Sequence, residues 1–193
     1  MKTLKASQIL QKSGKSVFST TEIKNLLEIE KDNTAYKKIE ALVETKVLQR
    51  AKRGFYILAG KEPSDFELAN HLYQPSYISL ASALNAYGIM VQTPYEIASV
   101  TTKTAQKIIF ENKTFSYFHL DKKYFWGYKK EDNALIASPE KALMDAIFFA
   151  SLGKASYNFD EFDLQIINKE KFQNFSEKIA LPAYHKLKKQ LGL

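Results

Sequence analysis

The chain predicts an α+β fold in two parts, and three observations carry that expectation. The opening sixty residues read as three short amphipathic helices followed by two strand-like runs, "VLQRA" and "GFYILA", joined around Lys52, Arg53 and Gly54. From Glu96 the pattern changes to runs dense in aromatic and β-branched residues, closed by a well-marked helix at "SPEKALMDAIFFASLG". Positive charge is also uneven: residues 1–60 hold 12 Lys+Arg against 6 Asp+Glu, whereas residues 61–193 hold 16 against 15. Helix, short element, helix-turn-helix and hairpin is the order of a winged helix-turn-helix. The expected architecture is an N-terminal winged helix-turn-helix over residues 1–60 and a mixed α/β C-terminal domain over residues 61–193.

Each element has a local reason. Leu4, Ile9 and Leu10 mark a first helix, with Gly14 as its C-terminal stop. Val17 and Phe18 precede Ser19 and Thr20, and Glu22 stands three positions after Ser19, the spacing of a capping box; this second helix should run to about Ile29. "EKDN" is a turn, and a third helix begins with Asn33 or Asp32 as its cap. Ala35, Ile39, Leu42 and Val43 share one face of it, bordered by Tyr36, while Thr34, Lys37, Lys38, Ala41 and Thr45 fall opposite. Glycine suits the hairpin tip because it tolerates positive φ. Pro63 ends the last strand and Ser64 caps "DFELANHLY", which stops before Pro75. "YISLASALNAYGI" reads as a buried helix capped by Ser79 and closed by Gly88. "EIASVTT", "KIIFEN", "TFSYFHL" and "YFWGYKK" read as strands, with "NKT" as a hairpin turn. Ser138, Pro139 and Glu140 open the marked helix and Gly153 closes it; the tail should be helical, interrupted at Pro182.

The composition narrows the classes of function. The formal net charge is +7, and most of the excess lies in the first sixty residues, which favours a polyanionic partner through long-range steering and counterion release. Absence of cysteine excludes disulfides and thiolate metal sites. No run approaches the roughly 18 apolar residues of a membrane span, and the amphipathic start lacks the apolar block of a signal peptide. A cytoplasmic protein with no membrane association is expected.

The candidate binding residues follow from the hairpin. Like charges crowded at one tip repel unless an anion lies against them. Arg50, Lys52 and Arg53 would run along phosphates of double-stranded DNA while the third helix occupies the major groove, with Thr34, Lys37 and Lys38 beside base edges. Tyr56 would either donate its hydroxyl to a phosphate or pack, and the amides around Thr20 and Thr21 suit another phosphate. The alternative is a winged module that binds only protein. No metal, cofactor or catalytic residue is expected: His71, His119 and His185 are far apart, and no phosphate loop or nucleophile elbow occurs. Glu111 and Lys113 have the Glu-x-Lys spacing of metal-dependent nucleases, but only Glu96 is near as the acidic partner. Glu140 and Asp145 lie about 140° apart on one helix, too divergent for paired carboxylates. Tyr117, Phe118, Tyr124, Phe125, Trp126 and Tyr128 alternate with Lys122, Lys123, Lys129 and Lys130; an ordinary sheet explains them better than a base-stacking platform.

Four segments in order carry a resemblance. "LQRAKRGFYIL", "FELANHLYQPSYISLASALNAYGI", "FSYFHLDKKYFWGY" and "IASPEKALMDAI" resemble AbiEi-type antitoxins over residues 2–153. The resemblance implies a cytoplasmic transcriptional regulator whose winged helix represses its own promoter, and a C-terminal domain associated with antitoxin activity in abortive infection. It further implies, as functional partner, a nucleotidyltransferase-like toxin neutralised without a required stable complex, the type IV arrangement. It supplies no catalytic residues, and the tail after Gly153 matches only loosely.

Overall fold

A computed structural model describes residues 3–193; the chain divides at Leu72–Tyr73 into two compact units. Among the described residues the protein is α+β, with eight α-helices and two sheets. No helix among them is long and apolar enough to cross a membrane.

The first unit begins with α1 (Thr3–Lys12), which buries Ala6 and Leu10. Leu4 lies off that stripe and is 72% exposed, so it does not mark the buried face. A short β1 (Val17–Ser19) leads into α2 (Thr20–Leu26), opened by the expected capping box: Glu22 N–H donates to Ser19 Oγ at 3.2 Å and Ser19 N–H to Glu22 Oε2 at 2.8 Å. The helix ends before Ile29 because Glu28 turns left-handed at φ 52°. Helix α3 (Asp32–Glu44) is capped at Lys31, not at Asn33 or Asp32. Asp32 already sits in the first turn, with its carboxylate 2.5 Å from Lys24 Nζ.

Strands β2 (Leu48–Lys52) and β3 (Phe55–Leu58) form the hairpin, and β1 pairs with the other edge of β3 to give the antiparallel order β1-β3-β2. Ala6, Leu10, Phe18, Ile23, Ile39, Leu42, Leu48 and Leu58 fill the core between helices and sheet. Helix α4 (Asp65–Leu72) also belongs to this unit, so the expected boundary near residue 60 moves to residue 72. Ser64 caps it as expected, accepting from Glu67 N–H at 3.1 Å. The Glu67 carboxylate then accepts the backbone N–H groups of Ser16 and Val17 at 3.1 and 3.2 Å, which fastens α4 to β1.

The second unit is built on a six-stranded mixed sheet in the order β6-β7-β5-β4-β9-β8. Its strands are β4 (Ser76–Ile78), β5 (Ile97–Thr101), β6 (Gln106–Phe110), β7 (Lys113–His119), β8 (Tyr128–Glu131) and β9 (Ala134–Ala137). The β5–β7 and β4–β9 pairs are parallel and the others antiparallel. Tyr77 and Ile78, at the head of "YISLASALNAYGI", belong to strand β4, and α5 (Leu80–Ala86) starts after Ser79 as expected, although the Ser79 side chain makes no cap hydrogen bond. "YFWGYKK" is a strand only from Tyr128, because Asp121 caps a 3-10 turn over 122–124 and Gly127 bends at φ 80°. The β6–β7 turn is Glu111–Asn112, both left-handed, so "NKT" lies mostly within β7.

Helix α6 (Pro139–Ser151) starts as expected at Ser138 and packs on α5, β9, α7 (Lys169–Ser176) and α8 (Pro182–Gln190). Pro182 opens α8, the first-turn place where its missing N–H costs nothing.

Candidate functional site

Helix α3 buries the expected apolar stripe, but its outer face differs from the expected one: Lys38 sits on the flank of the buried stripe and Thr45 lies past the helix end. Ala35, Ile39 and Leu42 are buried; Thr34 and Lys37 are exposed, Lys38 and Ala41 half-buried. Tyr36, at the border, is 53% exposed. At 100° per residue, however, the outward direction passes through Asn33, Lys37, Glu40, Ala41 and Glu44, so two exposed carboxylates share that face with one lysine.

The hairpin separates the cations that the sequence groups together. Arg50 pairs with Tyr56 and Lys52 pairs with Phe55, with Ala51 left as a bulge. Consecutive partners on β3 face opposite sides, so Arg50 and Lys52 do too. Arg50 is exposed, its guanidinium 5.7 Å from the centre of the Tyr56 ring. Tyr56 itself is 3% exposed and part of the core, so of its two expected roles it packs. Lys52 turns the other way: its ammonium donates to the Leu72 carbonyl at 2.7 Å, at the C-terminal end of α4 where a helix favours a cation. Partial burial lowers its pKa. Lys52 is thus a tether between hairpin and helix, not a third outward cation.

Arg53 is exposed at the tip. Beside it the Gly54 carbonyl accepts the Thr20 N–H at 3.0 Å, which engages an amide expected to be available to a phosphate. Thr21 is exposed one position on. The exposed members of the expected set are therefore Thr21 at the start of α2, Thr34 and Lys37 on α3, and Arg50 and Arg53 on the hairpin. With α4 included, residues 1–72 carry 13 Lys+Arg against 9 Asp+Glu and residues 73–193 carry 15 against 12, so the charge asymmetry softens.

Behind α2 lies a mixed cluster. Burial raises the Glu22 carboxyl, but hydrogen bonds from Lys15, at 2.5 Å, and from Ser19 outweigh it and hold the pKa below its usual value. His71 Nδ1 is 3.9 Å from Glu22. Burial pushes the imidazole pKa below 6.5, more than the pull of Glu22 and Glu67 restores; Lys15 pushes in the same direction as burial. A depressed histidine binds its proton more weakly folded than unfolded. Its contribution to stability is complete above about pH 6.5 and is lost as pH falls through the folded value. Urea midpoints measured between pH 7 and 5 should decline, and His71→Gln should flatten that decline. An equal decline in the variant would assign the effect to other groups.

The second unit holds a polar cluster at its centre. Lys141 and Asp145, one turn apart on α6, are each 0% exposed and paired. Lys141 Nζ also donates to the Tyr77 hydroxyl at 2.8 Å, while Tyr77 and Ser79 donate to Asp145 Oδ2 at 3.0 and 2.7 Å. Gly127 lies against this group: a Cβ there would stand 3.1 Å from the Lys141 stem. Burial lowers the Lys141 pKa against the opposing pull of Asp145, and raises Tyr77 well above its usual value. This network is not among the residues expected from the sequence, where Lys141 and Asp145 at i,i+4 inside "EKALMDAIFF" are its one visible signal. Fully enclosed, it positions α6 on β4.

The remaining candidates stay apart. His119 Nδ1 lies 2.9 Å from the Lys103 carbonyl, and His185 Nε2 2.6 Å from that of Ile179. Glu111 sits at the tip of the β6–β7 turn, and Glu96 is ion-paired with Lys107 at 2.7 Å. Glu140 pairs with Lys171 at 2.7 Å, well separated in role from Asp145. Among the described residues no three His, Asp or Glu side chains are grouped to hold a metal ion. Compared with known proteins, the chain matches no family model, and no curated protein matches it.

Proposed function

We propose that the first unit is a winged helix-turn-helix that reads double-stranded promoter DNA. In this reading the protein is a transcriptional regulator that acts by binding, not by catalysis. The observation that carries it is the closed order α1-β1-α2-α3-β2-β3, with β1-β3-β2 as one antiparallel sheet and exposed Arg50 and Arg53 at the hairpin. Helix α3 enters the major groove with Thr34 and Lys37 toward base edges, and the two arginines neutralise phosphates beside it. The likeness of four segments to AbiEi-type antitoxins supports the narrower reading: an autorepressor serving as antitoxin of a type IV system, with a nucleotidyltransferase-like toxin as functional partner.

The test is a titration of the full chain on the DNA upstream of its own gene and on a scrambled duplex, at two salt concentrations. Tight, salt-sensitive binding with preference for the upstream fragment is expected. Equal or absent binding would remove the reading. A second reading has a specific observation in its favour: Glu40 and Glu44 on the outward face of α3 repel phosphates and suit a basic protein surface. A winged module that binds only protein would show no salt-dependent DNA affinity.

A further inference from the structure

The loop between α5 and β5 displays large apolar side chains to solvent: Val91 is 83% exposed and Tyr95 98% exposed. Both line a groove of about 220 Å³ whose opposite wall is the segment from Ser156 to Phe162. That volume falls below the roughly 300–1,000 Å³ of small-molecule sites and fits one large side chain. The walls are held in place. Asn85 Nδ2 reaches the carbonyls of Met90, Val91 and Gln92 at 3.0, 3.4 and 3.3 Å, and Asp163 N–H donates to the Ile89 carbonyl at 2.9 Å. Tyr157, hydrogen-bonded to the backbone of Ala81, packs its ring with Phe159 and Phe162 at centroid distances of 5.5 and 6.1 Å.

The charge here opposes that of the whole protein. Among the described residues, Glu161 is the one lining residue that is charged at neutral pH, and Asp160 and Asp163 stand exposed on either side of it. No lysine, arginine or histidine among them lines the groove, in a chain of net charge +7. An exposed apolar rim around a preformed slot is the anatomy of an anchor site, and the carboxylates select what carries the anchor.

We infer that this groove docks a segment of a partner protein that presents one aromatic or large aliphatic side chain flanked by lysine or arginine. The anchor fills the slot between Met90 and Tyr157, Val91 and Tyr95 close over it, and the flanking cations meet Asp160, Glu161 and Asp163. Docking here does not depend on DNA binding by the first unit.

Fluorescence anisotropy of the full chain with a labelled nine-residue peptide, one phenylalanine flanked by four lysines on each side, tests it. Replacing the phenylalanine by alanine, or the lysines by glutamates, should weaken binding roughly tenfold or more. Val91→Ser with Tyr95→Ser should do the same, and Asp160→Lys with Glu161→Lys should reverse the preference between lysine and glutamate peptides. No binding by about 1 mM peptide, equal affinity for the control peptides, or unchanged affinity in the variants would overturn the proposal. So would sedimentation showing a homodimer that Val91→Ser with Tyr95→Ser dissociates, because the occupant would then be a second copy.

Discussion

Lys141→Ala should lower the stability of the second unit by about 3–5 kcal/mol. Removing the ammonium leaves Asp145 as an uncompensated buried carboxylate, and the Tyr77 hydroxyl loses its donor. The change also empties the space that the lysine stem fills against Gly127. Urea unfolding followed by the fluorescence of Trp126, the chain's single tryptophan, reports on this unit directly. With a urea m-value of about 1–3 kcal/mol/M, the midpoint should fall by about 1–5 M. Lys141→Met with Asp145→Leu should recover part of the loss, since an apolar pair needs no partner. Recovery stays incomplete because Tyr77 and Ser79 lose their acceptor. An unchanged midpoint in Lys141→Ala would mean the pair contributes nothing net.

On the proposed DNA-binding reading, Arg50→Ala with Arg53→Ala should weaken binding to all duplexes alike and flatten the dependence of log affinity on log salt by about 0.9 for each phosphate no longer neutralised. Lys52→Ala should act differently. Its ammonium is bonded to Leu72, so the change should lower stability while leaving the salt slope in place. Lys37→Ala should instead alter which sequences are preferred. Filter binding or anisotropy over a salt series separates the three. An unchanged slope in the double arginine variant would end the phosphate role, and an identical sequence profile for Lys37→Ala would end the role of α3 in reading bases.

Local rules were legible in the sequence where one short segment contains its own cause. The Ser19–Glu22 capping box, the Ser138–Pro139 helix start and the Ala35–Ile39–Leu42 stripe each depend on residues within a turn or two of one another. What was not legible depends on distant partners. A regular strand puts residues 50 and 52 on one side; the bulge at Ala51 divides them, and nothing in "QRAKRG" announces it. Tyr56 is buried because α1, α2 and α3 cover that face of β3. β4 and β9, of three and four residues, are too short to show a period, and Ser79 spends its hydroxyl on Asp145 instead of on the helix it precedes. "YFWGYKK" has the aromatic density of a strand, yet Gly127 turns there to lie on Lys141, a residue fourteen positions away.

The parallel pairing of β4 with β9, Ile78 opposite Ile136, has a consequence for the chain as it is being made. Fifty-eight residues separate these partners in sequence, and ribosomes add roughly 5–20 residues per second, so about 3–12 s pass between the synthesis of one and that of the other. Throughout that interval the nascent β4 has no neighbour on one side, and α6, which carries Lys141 and Asp145, has not yet been made. Unpaired strand edges of this kind recruit foreign strands. Codon choice over residues 79–136, which sets the length of the delay, is therefore a physical variable for the yield of native protein.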